Sequence, residues 1–390
     1  MNDVKTPVYL DYQATTPMDA DVFEAMTPYF SEKFGNPHSS GHRFGWEAEA
    51  GVNAAREHIA DVIGANAEDI VFTSGATEAN NLAIKGVMEA YGHKRNHLVT
   101  LATEHKCVLE CAKALEKRGY TVTVLPVGRD GLADLDTVRR AVSDNTALLS
   151  VMAVNNEIGV IQDVKALSNI ARDAGALFHT DAAQGWGKIP LDVDVQGIDL
   201  MSISAHKAYG PKGIGALYVR SKPRVALNPQ MHGGGQERGL RSGTLSPALC
   251  AGFGKAAEII KNIGDQEVRR INRLSAMLRG RVLMNCAGVM INGSLDARFH
   301  GNLNMSFPGL DGDLLMTKLR DLAVSSGAAC ASATTGPSYV LQALGLPPDL
   351  IKSSIRFGIG RFTTEDEIIF AANRISIAVT ALGGLHPVQK

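Results

Sequence analysis

Between residues 69 and 219 the chain alternates short apolar runs with longer amphipathic ones. Asp69–Thr73, His97–Thr103, Thr121–Val127, Thr146–Val154, Ala176–Thr180, Asp199–Ser204 and Gly213–Val219 read as strands apolar on both faces, as a sheet covered on both sides requires. Upstream of the first, Phe44, Ala48, Val52, Ala55, Ile59 and Ile63 recur every three or four residues and draw one apolar stripe down a helix. Similar stretches follow Thr77, Lys106 and Asp163. Helices alternating with fully buried strands predict a mainly parallel α/β sheet, whose ligands gather at the carboxyl ends of the strands.

The pattern changes after Arg220. A Gly-rich segment, His232 to Gly243, precedes a long helix opened by Ser246-Pro247, a capping residue followed by proline at the first helical position. Beyond it, short strands at Asn302–Phe307 and Ser354–Gly358 mix with helices, one opened by Thr364 and Glu367 in capping-box spacing. These features predict a large domain over 16–260 and a smaller α+β domain built from 1–15 and 261–390. There are no internal repeats and no long charge blocks.

A length of 390 residues gives ample chain for a large buried core. Lys plus Arg number 39 against 40 Asp plus Glu, so there is no bulk electrostatic attraction for nucleic acid or an anionic membrane surface. No apolar run approaches the ~20 residues a membrane span needs, and the N-terminus lacks a basic-then-apolar signal, so a cytoplasmic protein is expected. The five cysteines are odd in number and scattered, which predicts reduced thiols rather than a disulfide framework. Cys107 and Cys111 are four apart with no second pair to complete a zinc set, and that spacing suits small apolar residues on a helix.

Candidate chemistry concentrates where apolar runs end. Lys207 follows the strand at Asp199–Ser204, and Asp181 ends the strand before it. Either residue alone reads more simply as solvated or turn-capping. Together they are the pair a pyridoxal phosphate site needs, an amine for the Schiff base and a carboxylate for the pyridinium nitrogen. Phe72 to Asn81 is a strand, a small-residue turn and a helix start, so backbone N–H groups and the positive end of a helix dipole face one spot suited to phosphate. Thr77 and Ser204 can add hydroxyls there, and His206 a further donor. Two more strand ends aim at the same edge. One delivers His105, which can lie on a pyridine ring or move protons near neutral pH. The other delivers Asn155-Asn156-Glu157, whose amides can bond the cofactor's phenolic oxygen or a substrate carboxylate.

These residues resemble the cysteine desulfurases of the IscS/NifS type, in the class V aminotransferase group of pyridoxal phosphate enzymes. The resemblance spans nearly the whole chain: residues 9–17, Phe34-Gly35-Asn36-Pro37, the Thr77 turn, His105, residues 155–157, 181–184, 204–213, 238–244 and 324–330, and Ser353-Ser354-Ile355-Arg356-Phe357. It implies PLP fold type I, with a large domain around a mainly parallel seven-stranded sheet. It also implies that Lys207 links covalently to the cofactor, Asp181 pairs with the pyridinium, Gln184 bonds the phenolic oxygen and His105 stacks on the ring. Ala76, Thr77, Ser204 and His206 would hold the phosphate. Asn156 would contact cofactor or substrate, and Arg356 would clamp the substrate carboxylate. The family is homodimeric, with Thr244 reaching the phosphate of the neighbouring subunit.

Cys330 lies in a run of small residues without helical or strand period, which predicts a mobile loop. The resemblance makes it the nucleophile that takes sulfur from L-cysteine as a persulfide and leaves L-alanine. Its thiol needs help to deprotonate, and His105 is the expected helper or the acid for later steps. The sulfur would pass to an iron–sulfur scaffold protein or another acceptor. No firm metal site is expected, and a transient role for Cys330 as an iron–sulfur ligand stays open. Relatives more often carry Thr after the cysteine and Glu before the proline, where this chain has Ala331 and Gly336-Pro337. Some also run on into a tail that contacts a scaffold, whereas this sequence stops at Lys390. The alternatives are a selenocysteine lyase or class V aminotransferase of the same fold, or a silent sulfur carrier that retains it.

Overall fold

A computed structural model describes residues 4–326 and 336–383. Thirteen strands occur among the described residues. Seven of them, β2 (Ile70–Thr73), β3 (His97–Leu101), β4 (Thr121–Leu125), β5 (Thr146–Ser150), β6 (Leu177–Asp181), β7 (Leu200–Ser204) and β8 (Gly215–Val219), form one sheet in the order β2-β8-β7-β6-β5-β3-β4. Each of the seven apolar runs supplies one strand. Only β8 runs against its neighbours, β2 and β7. The carboxyl ends of β2, β3, β5, β6 and β7 therefore lie along one edge. The sheet places β6 beside β7 and so brings the residues after Asp181 next to those after Ser204.

Two runs depart from expectation. The third run predicts burial on both faces, but β4 is an edge strand, and Val124 is 47% exposed. The run at 146–154 contributes only Thr146–Ser150 to the ladder. Its continuation stays buried and turns away, and Met152 there lines the site described below.

A second sheet, β12 (Ser325–Ser326), β13 (Ser354–Gly358), β10 (Asn302–Ser306) and β9 (Met290–Ile291), is antiparallel throughout. A two-strand pair joins β1 (Val8–Tyr9) to β11 (Leu322–Ala323), which ties the start of the chain to this later region. The helix Pro247–Asn285 runs between the two sheets' sequences. Ser246 Oγ accepts from Leu249 N and proline occupies the first turn, as the capping pattern predicts. Thr364 and Glu367 make both bonds of a capping box on the final helix, Glu365–Ala381.

The helix Arg43–Val62 buries Ala48, Val52, Ala55 and Ile59, and Ile63 just beyond it, against the rest of the core. Phe44, expected on that stripe, is instead 51% exposed. It sits in the first turn, where its ring packs on Phe34 with centroids 5.4 Å apart. The long helix crosses this one at Gly254, where a Cβ would lie 2.5 Å from Ala55 Cα. Backbone cannot yield as a flexible side chain can, so the crossing depends on the missing methyl. Gly254→Ala is expected to lower stability by about 1–3 kcal/mol through overpacking, read as a lower denaturant midpoint without loss of secondary structure.

Candidate active site

The strand ends enclose a cavity of about 860 Å³. Lys207, Asp181, Gln184, His105, Ala76, Thr77, Asn156, Ser204, His206 and Arg356 all line it, so ten of the twelve residues singled out in the sequence meet in one place. Thr244 is exposed and does not line the cavity. Cys330 lies outside the described residues. The cavity also takes in Asp11, Cys107 and Lys212.

Asp181 is 4% exposed, and its carboxylate oxygens are already engaged. Oδ2 accepts from Asn80 Nδ2 at 2.7 Å, and Oδ1 accepts from the Ala183 N–H at 2.9 Å. Asn80 is fully buried in the helix Ala76–Tyr91, and its amide also donates to Cys107 Sγ at 3.1 Å. Burial, reinforced by Asp181, pushes the Cys107 thiol up to about 12, so this cysteine faces the site as a neutral group. Neither residue was singled out as functional from the sequence. Asn80 reads there as one more helix residue, and Cys107 as a small apolar one.

His105 caps the helix Lys106–Glu116. Its Nδ1 accepts from the Cys107 N–H at 3.2 Å, with the Cys107 thiol 3.0 Å away. An Nδ1 that accepts is unprotonated, so the neutral ring carries its hydrogen on Nε2. Burial lowers the imidazole's pKa, opposed by Asp181 and helped by Lys207 and Lys106. His105 thus offers the cavity a hydrogen-bond donor. A basic role at Nδ1 would first require release of the helix cap. Directly before it, Glu104 is completely buried, accepting from Met152 N at 2.7 Å through Oε1 while Oε2 has no partner. Burial raises its carboxyl pKa well above the ordinary range, against the pull of the Met152 bond and with Asp181 adding to the rise.

Lys207 is held by the N-terminal segment. Its Nζ donates to the carbonyls of Gln13 and Ala14, the latter at 2.9 Å. Thr16 pins the same turn from two sides, donating to His206 O at 3.0 Å and accepting from Tyr209 N at 2.8 Å. Burial pushes the Lys207 amine down to about 8, with Arg356 acting in the same direction and Asp181 and Asp11 against it. Burial likewise pushes His206 to about 4, with Lys207 and Lys212 adding to the effect, so it lines the cavity as a neutral ring.

The strand, turn and helix start after β2 are built as the sequence predicts. Gly75, at φ 151, lets the chain turn from β2 into a helix of 16 residues, with open space where its Cβ would stand. The first helical N–H groups have no acceptor within the helix and point into the cavity's end with the dipole. Glu78 steadies the turn, accepting from Ser74 N at 2.7 Å and pairing with Arg241 at 2.7 Å.

At the opposite end Arg356 donates to Asp11 Oδ1 at 2.8 Å, Ser325 Oγ at 3.0 Å and Asn156 O at 3.0 Å. Its Nε and the Asn156 Oδ1 are buried without partners. Unsatisfied buried polar atoms of this kind suit a small polar ligand at that end. The donors at the helix terminus, the buried carboxylate and the amine along one cavity fit pyridoxal phosphate, and the Arg356 guanidinium, which lines the same cavity, fits a carboxylate.

Residues 8–369 match the model of the aminotransferase class-V family. A protein named cysteine desulfurase IscS, from Rickettsia bellii (strain OSU 85-389), is 53% identical over 388 residues, which cover 100% of this chain and 95% of that one. Among solved structures, a NifS-like protein superposes with a TM-score of 0.89 at 35% identity, covering 96% of this chain and 100% of its own. SspA in complex with cysteine gives 0.78 at 37% identity, covering 92% and 100%.

A measurement on the amine tests the electrostatics of the cavity. The rate at which the cofactor-free protein captures an aldehyde at Lys207, trapped by borohydride and located by mass spectrometry, is expected to rise with pH around a midpoint near 8. A midpoint left at the ordinary lysine value would contradict the burial account.

Proposed function

Since this chain belongs to the class-V aminotransferases and, within them, to the cysteine desulfurases, we propose that it uses pyridoxal phosphate to convert L-cysteine to L-alanine and delivers the sulfur to Cys330 as a persulfide. The observation that carries the reading is the pairing across one cavity of the Lys207 amine with the Asp181 carboxylate, from neighbouring strand ends, beside a helix N-terminus.

When bound, the cofactor supplies an aldehyde that joins an amine and a ring that accepts the electron pair released at the substrate's α carbon. Lys207 would tether the cofactor through that aldehyde. Asp181, fixed by Asn80 and Ala183, keeps a proton on the ring nitrogen. The N–H groups of Ala76 and Thr77, the hydroxyls of Thr77 and Ser204, and His206 bind the phosphate. Gln184 would donate to the phenolic oxygen, and His105, with its hydrogen on Nε2, would contact the ring. Arg356 and Asn156 hold the substrate carboxylate, which shares the guanidinium with Asp11. The Lys207 amine, once free, takes the proton from the substrate's α carbon. Its lowered pKa leaves an unprotonated fraction for that task near neutral pH.

The sulfur step follows from electron balance. The Cys330 thiolate attacks the substrate sulfur, so an S–S bond forms from the thiolate pair. The substrate's Cβ–S bond breaks with its pair left on carbon, and protons delivered to the carbon skeleton complete alanine. No oxidant is consumed, because the sulfur leaves at the persulfide level. The persulfide then passes to an iron–sulfur scaffold protein or another sulfur acceptor. The exposed Thr244 and the exposed aromatic side chains of Phe34, Phe44 and Trp46 support a homodimer in which Thr244 serves the neighbouring site. Among the described residues no helix is long and apolar enough to cross a membrane, and we place the enzyme in the cytoplasm.

The purified protein is expected to be yellow, to be fixed to its cofactor at Lys207 by borohydride, and to yield alanine and sulfide in equal amounts from cysteine and reductant. Transamination of a keto acid, or action on selenocysteine alone, would overturn the assignment. Cys330→Ser should abolish sulfur release and leave the colour. Arg356→Lys should raise the KM for cysteine roughly ten- to hundredfold, the loss of about 1.5–3 kcal/mol of charge-assisted hydrogen bonding.

A further inference from the structure

Behind the cavity wall lies a second lysine that the reaction outlined above does not use. Lys188 Nζ donates to Gln184 Oε1 at 3.2 Å and sits 5.4 Å from the centre of the Phe299 ring. The other end of the same amide, Gln184 Nε2, donates to Gln13 O at 2.8 Å, and that carbonyl also accepts from Lys207 Nζ. A continuous row of hydrogen bonds thus runs from Lys188 through Gln184 and Gln13 O to the amine at the centre of the site.

The chemistry of each member fixes the direction of the row. A backbone carbonyl only accepts, so it takes one hydrogen of the Gln184 amide, and Lys188 donates to the amide oxygen. Gln184 is 5% exposed, so without Lys188 its oxygen would be buried with no donor, and only the bond to Gln13 O would hold the amide. With Lys188 in place, the second Nε2 hydrogen is left for the cavity, which Gln184 lines.

We propose that Lys188 is a positioning residue that locks the Gln184 amide with its NH₂ toward the site and thereby holds the cofactor's phenolic oxygen as an anion. This assignment rests on the cofactor reading given above. The charged and titratable groups around Lys188 are Glu267 from the long helix, Lys207 and His206 from the strand-end turn, and Tyr12 and Tyr209, which line the same small cavity. Glu267 is already paired with Arg361 at 2.6 Å. Burial pushes the Lys188 amine down to about 7, with Lys207 acting the same way and Glu267 opposing. Charged or neutral, the amine still donates to Gln184. A donor or a positive charge beside the phenolic oxygen stabilises its anion and weakens the hold on the proton at the linkage to Lys207. Removing Lys188 should therefore move that titration to higher pH.

The test records the visible absorption band of the bound cofactor against pH in the holoenzyme. Lys188→Met and the smaller, polar Lys188→Gln both delete the ammonium, so the result does not depend on one variant's folding, which circular dichroism checks. Both are expected to raise the midpoint, by on the order of one unit for Met. Lys188→Arg should stay near the wild-type midpoint. If Lys188 acts through Gln184, then Gln184→Ala alone raises the midpoint and adding Lys188→Met changes it no further. Folded Met and Gln variants with the wild-type midpoint would overturn the proposal, as would a shift that adds in full to that of Gln184→Ala. A colourless wild-type protein overturns the functional reading itself, whereas a yellow one whose midpoint ignores residue 188 overturns this assignment alone.

Discussion

A carboxylate can be taken out of water only where donors already wait for it, and Asp181 meets that condition at the centre of the molecule. Its two oxygens are taken by the Asn80 amide and the Ala183 N–H. Much of the surrounding chemistry is arranged around this buried negative charge. It adds to the rise of the Cys107 thiol and of the Glu104 carboxyl, and it opposes the fall of His105 and Lys207. Burial leaves thiol and acid neutral, and this one fixed group reinforces that while tempering the loss of charge on the amine.

Positive groups are gathered with equal economy. Lys207, Lys188, Lys212 and Arg356 crowd a small volume, where burial and mutual repulsion lower the two buried amines. Arg356 pairs with Asp11, and Lys207 donates to two carbonyls of the N-terminal segment. That segment is bound in turn to the turn carrying Lys207 through Thr16 and to the later part of the chain through β1 and β11. A few residues far from the sheet in sequence thus set both the amine and Arg356.

Cysteines show how context divides one residue type into different roles. Cys111, Cys250 and Cys286 are buried and behave as small apolar groups, while Cys107 reaches the cavity but stays a neutral thiol. A nucleophile needs the thiolate, so the local field around Cys107 works against it. We therefore keep the sulfur-accepting role proposed for Cys330.

The sequence by itself determined the seven strands of the large sheet, the phosphate turn, the helix caps at Ser246 and Thr364, and the strand-end placement of Lys207 and Asp181. Such features rest on local periodicity and on residues adjacent in the chain, where a period of two or 3.6 translates directly into a buried face. Only the tertiary structure decided that Asn80 reaches Asp181 across 101 positions, that Asp11 meets Arg356 across 345, and that β4 is an edge. It also decided that Lys188 turns inward to Gln184, one helical turn away, instead of out to water. A hydrophobic pattern tells which face is covered, but which polar side chain meets which partner depends on how distant elements close on one another, and one chain position carries no record of that.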